Sequence, residues 1–227
     1  MEITISNKKQ TQVFVAITLC LVVAHYLSVL SEIFLGNDIA LFDLGKEGNI
    51  PTMFSVLLLL YSSLLLAFIW HVKNQTKEND RNYWLWLSLI FLFLSVDEFS
   101  SIHETIGNTL EGVFNKNGPL WFPWKIPYGL ALIVFALSYL KFLTRLPKRT
   151  RNLFIISGTI FVLGAMGIET GEGFVKYAYK IPDFNYRVFE PLEESFEMIG
   201  VIIFIKAYIE YIVNELCLNK LQLSIET

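Results

Sequence analysis

The chain has 227 residues and a formal net charge of −3, with 54% of its residues hydrophobic and 17% charged. The slight negative charge, without a basic patch interleaved with aromatic residues, argues against nucleic acid as a partner. The hydrophobic residues form long blocks with few charges, and about 20 apolar residues cross the roughly 30 Å hydrocarbon core of a bilayer. These features exclude an ordinary soluble domain and predict an all-α, polytopic membrane helix bundle embedded in a lipid bilayer.

Six membrane spans are predicted in one transmembrane domain covering residues 1–227: 11–35, 51–72, 83–103, 123–144, 153–172 and 190–212. The first stretch lacks a small-residue cleavage site and is interpreted as a retained span, not a signal peptide. Short basic connections follow the second and fourth spans, and longer connections follow the others. Because lysine and arginine are retained on the cytoplasmic side, both termini are predicted to be cytoplasmic.

The third span ends in LSVDEFSSIHE, where an apolar run is followed by four ionisable residues: Asp97, Glu98, His103 and Glu104. At a rise of about 1.5 Å per residue, Asp97 and Glu98 reach the outer half of the span, and His103 reaches its outer interface. If the helix continues, one face carries Asp97, Ser100, Ser101 and Glu104. Alternatively, Ser95 and Glu98 form a capping box that marks a helix break.

The fifth and sixth spans also carry carboxylates near their predicted outer ends. Glu169 and Glu172 are three residues apart and are therefore neighbours on a helix. The sixth span begins with FEPLEESFEMIG, whose glutamates fall within an arc of about 100° on a helix: Glu190, Glu193, Glu194 and Glu197. Spans that run in opposite directions are thus predicted to place carboxylates at one depth near the outer surface.

Simpler explanations remain open for several of these residues. The helix macrodipole favours acids in the first turn after Pro191 without any ligand. Gly171 and Gly173 are consistent with a fifth span that has already ended in a solvated loop. An interfacial hydrogen bond would account for His103. The other histidines are interpreted as structural, with a glutamate or tyrosine expected beside the first: His25 and His71.

Carboxylates crowded at membrane depth repel one another unless basic groups, protons or a cation compensate. The candidate basic partners are too few for the acids present: Lys125, Arg187 and His103. The predicted cation or proton site comprises Asp97, Glu98, His103, Glu104, Glu169, Glu172, Glu193, Glu194 and Glu197. With at most one imidazole, this set suits Ca²⁺, Mg²⁺ or Mn²⁺ better than Zn²⁺. A carboxylate cage that exchanges protons without a metal is equally consistent.

Three segments resemble an uncharacterised group of bacterial multi-pass membrane proteins: LSVDEFSSIHE, FLTRLPKRTRNLF and PLEESFEMIGVIIFIKAYIEYI. Proteins of this group share D-E-x4-H-E on one span and E-E-x2-E-M-x-G on the last. The resemblance covers the larger, C-terminal part of the chain. It implies a membrane protein and directs attention to the same acids, but it implies no reaction.

The sequence leaves three functional classes open. The favoured class is an inner-membrane protein whose outward-facing acidic cavity binds a cation or protons for ion- or proton-coupled transport or sensing. The second is a metal-dependent membrane enzyme at the outer leaflet, in which a glutamate or histidine acts as general base on metal-bound water. The third is a signalling or structural subunit that depends on a membrane partner or on a second copy of the chain. Transport lacks an evident polar route through the inner half of the spans.

Overall fold

A computed structural model describes residues 7–37, 39–114, 118, 121–179 and 190–216, and the regular elements of these residues are all helical. A π-helical segment, Leu163–Ile168, joins α6 to α7, and a short 3₁₀ turn covers Ala40–Phe42. The α-helices are α1 (Asn7–Leu35), α2 (Ile50–Gln75), α3 (Arg81–Ser100), α4 (Ile102–Leu110), α5 (Lys125–Arg145), α6 (Lys148–Val162), α7 (Glu169–Tyr179) and α8 (Glu190–Asn214).

Five of the described helical stretches are long and apolar enough to cross a membrane: Asn7–Leu35, Ile50–Gln75, Arg81–Ser100, Lys125–Arg145 and Lys148–Val175. This finding confirms the predicted class, an all-helical protein with several candidate membrane spans. α8 does not meet the same criterion, because four glutamates lie in its first two turns and Lys206 and Glu210 follow.

The third predicted span is wrong at its outer end. α3 stops at Ser100 because Ser101 adopts a left-handed conformation with φ 51°, and α4 begins as a separate helix. Glu104 therefore does not continue the helical face of Asp97, as the uninterrupted span had predicted. The alternative capping box is also wrong, since the Ser95 hydroxyl donates to the Val56 carbonyl at 3.0 Å and so joins α3 to α2.

α8 lies in the interior of the bundle, in contact with α1, α2, α6 and the π-helical segment. Its buried side chains include Val201, Ile202, Ile205 and Tyr208. Charged groups at membrane depth are stable only when they face protein or water. The central position of α8 therefore places its glutamates, which are half-buried, beside other helices.

Two glycines allow α8 to lie directly against α6 and the π-helical segment. A Cβ atom at Gly164 would lie 2.9 Å from the carbonyl oxygen of Glu193, and one at Gly200 would lie 2.8 Å from the amide nitrogen of Phe161. Backbones approach this closely only where small residues occupy the contact. Gly164 thus permits the close contact that positions the glutamate turns of α8.

α5 packs on α3 through aromatic side chains. Phe142 is fully buried, with its ring stacked 5.0 Å from that of Tyr83 and edge-on to Trp84 at 5.2 Å. The Tyr139 hydroxyl also donates to the Tyr83 carbonyl at 2.8 Å. These contacts hold α5 beside α3, so that its first residues lie near the end of α3.

The two ends of the bundle differ in charge. We call the end that contains residues 43–50, 97–104, 169–172 and 190–197 the carboxylate end, and the end that contains residues 73–81, 145–151 and 206–214 the basic end. At the basic end, Lys73 is buried, with its ammonium 2.5 Å from Glu78 and 3.0 Å from Asp80. The buried ammonium group of Lys73 is therefore neutralised by two carboxylates.

Gly200→Ala should lower the free energy of unfolding by roughly 1–3 kcal/mol, because its methyl group would push α8 away from Phe161. Gly158→Ala is the matched control, since its methyl group would make an ordinary contact, 3.6 Å from the Phe204 ring. Thermal unfolding of both variants in detergent measures the difference. Equal melting temperatures would contradict the close approach of α8 to α6.

Candidate functional site

His103 is held in place by Asp97 across the break between α3 and α4. The Asp97 Oδ1 atom accepts a hydrogen bond from the His103 backbone N–H at 2.8 Å and lies 3.4 Å from His103 Nδ1. The first N–H groups of a helix have no partner within the helix, so this carboxylate stabilises the start of α4. Because the same carboxylate also faces the ring, it fixes the direction of the imidazole.

The opposite side of the imidazole faces two glutamates. His103 Nε2 lies 3.5 Å from Glu47 Oε1, and the ligand atoms of Glu47, His103 and Glu104 all lie within 4.8 Å of one another. Glu47 Oε2 is buried and has no hydrogen-bond partner among the described residues. We call these three residues and Asp97 the His103 cluster.

Two groups in the His103 cluster have shifted pKa values. Burial raises the pKa of Glu47 to about 7; the charge of Glu104 adds to this effect and that of His103 opposes it. For His103, burial lowers the pKa, but the hydrogen bond to Asp97 and the charges of Asp97, Glu47 and Glu98 together raise it overall. Neighbouring acids therefore act on both groups: Glu104 raises the pKa of Glu47, and three carboxylates raise that of His103.

Glu169 forms the centre of a second group, on the other side of the carboxylate end. Its Oε1 atom accepts a hydrogen bond from Trp124 Nε1 at 3.2 Å, and its Oε2 atom lies 3.1 Å from the Lys125 ammonium. Lys125 also donates to the Thr170 hydroxyl at 3.1 Å. We call these four residues the Glu169 cluster. Both charged side chains of the pair are about nine-tenths buried, 9% and 11% exposed.

The glutamates of α8 lie between these two clusters. Glu193 is within electrostatic reach of Glu169 and Glu172, and the latter is itself buried on α7. Glu194 is within reach of Glu98 and Glu47. The acidic residues predicted on the third, fifth and sixth spans therefore lie at one end of the bundle, but they form distinct pairings instead of one uniform cage.

A small cavity separates Glu98 from Glu197. Its volume is about 10 Å³, and Ser55 of α2 also lines it. The Ser55 hydroxyl is buried and lacks a hydrogen-bond partner among the described residues. A space of this size holds about one water molecule. Both carboxylates and the Ser55 hydroxyl therefore border a space that could hold one water molecule.

A group of ionisable residues that the sequence did not predict lies between α1 and the start of α8. Ligand atoms of His25, Asp43 and Glu190 lie within 4.8 Å of one another, and His25 Nδ1 accepts a hydrogen bond from the Leu44 N–H at 3.0 Å. A Cβ atom at Gly45 would overlap the Glu190 carboxylate. Asp43 is thus a neighbour of His25 that had not been singled out.

A usable signal for Asp43 and Glu47 was present in the sequence. Both lie in the connection that follows the first span, which was predicted to face the same side as the other acids. His71, by contrast, is exposed beside Gln75, in keeping with a structural role. Arg187, the third expected basic partner, lies outside the described residues.

Comparison with known proteins places the chain in a family. Residues 14–211 match a family model described as a domain of unknown function (DUF8692), and the chain belongs to this family. The match covers most of the chain, including both clusters. No curated protein and no solved structure matches the chain significantly.

Lys125→Met should lower the free energy of unfolding by roughly 3–5 kcal/mol, because the buried Glu169 carboxylate would lose its ionic partner. The double variant Lys125→Met/Glu169→Gln should recover much of this loss, since no unpaired charge remains. Lys141→Met, at an exposed position of α5, is the control. Thermal unfolding in detergent tests the coupling, and additive effects of the two substitutions would argue against the buried pair.

Proposed function

We propose that this member of the family is an inner-membrane protein with six spans that binds a divalent cation at an outward-facing carboxylate end and uses it in sensing or ion-coupled transport. The observation that carries the proposal is the His103 cluster. Its three candidate ligands come from the connection before α2 and from α4, and their ligand atoms lie within 4.8 Å of one another.

The spacing of these atoms suits one cation. With bonds of about 2.0–2.5 Å, two ligands of the same ion lie at most roughly 5 Å apart. The Oε2 atom of Glu47 is a further buried oxygen that could bind the cation, because it accepts no hydrogen bond from the described residues. Asp97 supplies the carboxylate that commonly orients a ligating histidine from behind.

The donor set favours Mn²⁺. Carboxylate oxygens suit Ca²⁺, Mg²⁺ and Mn²⁺, whereas an imidazole nitrogen is preferred by transition metals. A site with one histidine and two glutamates combines these preferences. Zn²⁺ sites are usually richer in histidine or cysteine.

The distribution of basic residues supports the proposed orientation. Lys148, Arg149 and Arg151 lie at the start of α6, at the basic end, and lysine and arginine mark cytoplasmic segments. This orientation turns the His103 cluster towards the outer side. α8 would be the sixth span, its glutamates shielded from lipid by the surrounding helices.

The interior of the bundle favours sensing over open conduction. Tyr208, which is fully buried, packs against aromatic rings of α3, α6 and α8 and so fills this part of the interior with apolar groups: Phe91, Phe154 and Phe204. A cation bound at the His103 cluster would instead alter the balance of charge at the start of α8. That change would be transmitted through the close contact of α8 with Gly164.

A metal-dependent enzyme is the second candidate. Glu104 is exposed, and three protein ligands leave coordination positions open for water or substrate, as in catalytic metal sites. Glu98, with the neighbouring cavity, would then be close enough to act as a proton acceptor. Hydrolysis of a lipid-linked substrate by metal-loaded protein would favour this candidate over sensing.

Glu47→Gln and His103→Gln should each weaken Mn²⁺ binding by about tenfold to 100-fold, because each removes a ligand of the proposed site. Glu111→Gln, which alters an exposed acid just beyond α4, should leave binding unchanged. Calorimetric titration of the detergent-purified wild type and variants measures the Mn²⁺ affinity, and elemental analysis measures the amount of bound metal. Stoichiometric Mn²⁺ that survives in both ligand variants would place the ion elsewhere, and wild-type protein that binds no divalent cation would refute the proposal.

Mn²⁺ affinity should rise by at least about tenfold between pH 6 and pH 8. A cation competes with the protons on Glu47, whose pKa is about 7, and on His103, whose pKa is also raised. Both groups hold more protons at the lower pH, so binding there must displace them. The same titration at several pH values checks the slope. An affinity independent of pH in the wild type would contradict ligation by these two groups.

A further inference from the structure

A larger cavity lies at the basic end, opposite the proposed cation site. It is bordered by the first turns of α1 and α6 and by the last turns of α8, and its volume is about 660 Å³. This volume is within the range of sites that bind small molecules. Each of the three helices contributes one cationic side chain to the lining: Lys8, Arg149 and Lys206.

The positive charge of this cavity is only partly neutralised. Glu210 is the single acid among its described lining residues, and the Arg149 guanidinium binds it through two hydrogen bonds of 2.7 and 2.9 Å. Lys8 and Lys206 have no carboxylate partner within the part of the chain that the structure describes. The cavity therefore presents two ammonium groups to an incoming anion.

The other residues that line the cavity include neutral hydrogen-bond donors and a hydrogen bond between α1 and α8. Gln12 and Asn214 carry side-chain amides at its edge. The Asn7 amide donates to the carbonyl oxygen of Lys206 at 3.3 Å and so joins the start of α1 to α8. Lysine ammonium groups and amide N–H groups are the donors that commonly bind phosphate oxygens.

An exposed apolar strip continues from the cavity along α1. At about 100° per residue, Leu19 and Val23 lie on the same helix face as Lys8 and Gln12, one to several turns deeper. They are 60% and 57% exposed. Because α1 is long and apolar enough to cross a membrane, this exposed strip faces acyl chains. A phospholipid whose headgroup binds in the cavity can therefore lay its own acyl chain along the strip, and a soluble anion cannot.

We infer that this cavity binds the phosphate of an anionic phospholipid of the phosphatidylglycerol type. The phosphate lies between Lys8 and Lys206, and the acyl chains extend along the strip that contains Leu19 and Val23. Basic pockets between membrane helices bind anionic headgroups in this way. The inference concerns the opposite end of the bundle and does not depend on cation binding at the His103 cluster.

Native mass spectrometry of detergent-purified protein, titrated with phosphatidylglycerol or phosphatidylcholine, tests the inference. The wild type should bind phosphatidylglycerol more tightly. Lys8→Gln/Lys206→Gln should weaken that binding by about 30-fold, as expected for the loss of two lysines near an anionic headgroup. Lys9→Gln, beside Lys8 but outside the cavity lining, should behave as the wild type. Unchanged melting temperatures establish that the variants are folded.

Competition on the wild type keeps the test independent of the variants. Inorganic phosphate at millimolar concentration should displace phosphatidylglycerol only weakly, since it gains nothing from the apolar strip. Equal affinity for the two lipids, or full retention of binding in Lys8→Gln/Lys206→Gln, would overturn the inference. Tight binding of inorganic phosphate with displacement of the lipid would also overturn it, and would indicate a soluble phosphate ligand instead.

Discussion

The partial burial of the glutamates at the start of α8 is the constraint on which the bundle depends. Four carboxylates within two turns cannot face hydrocarbon at a cost of several kcal/mol each. α8 therefore lies inside a ring of more apolar helices, in contact with α1, α2 and α6. Gly164 and Gly200 make this position sterically possible, because neither has a side chain to hold the backbones apart.

The two clusters at the carboxylate end compensate their carboxylates in different ways. In the Glu169 cluster, a buried lysine neutralises the carboxylate from 3.1 Å, and an indole N–H donates to its other oxygen. In the His103 cluster, the carboxylates outnumber the single imidazole, and Glu47 keeps a buried oxygen without a hydrogen bond among the described residues. This incomplete compensation is the reason to look for a cation on that side of α8.

The basic end complements this arrangement. Lys73 is buried beside two carboxylates, and Arg149 binds Glu210, so most charge there is neutralised within the protein. The cavity that contains Lys8 and Lys206 is the exception. The described structure thus has an excess of carboxylates at one end of the bundle and a cavity with two lysines at the other. The proposed cation site and the proposed lipid site rest on these two features.

The sequence by itself determined the helical class, the presence of several apolar helices long enough to cross a membrane and the abundance of acids near their ends. Apolar blocks of this length have few alternatives to membrane helices, and the acids near their ends are visible without a structure. Only the tertiary structure decided which acids meet. The left-handed Ser101 separates Glu104 from the face of Asp97, and the fold of the first connection brings Glu47 to His103 and Asp43 to His25. One backbone torsion and one loop closure produced these contacts, and helical periodicity carries no information about either.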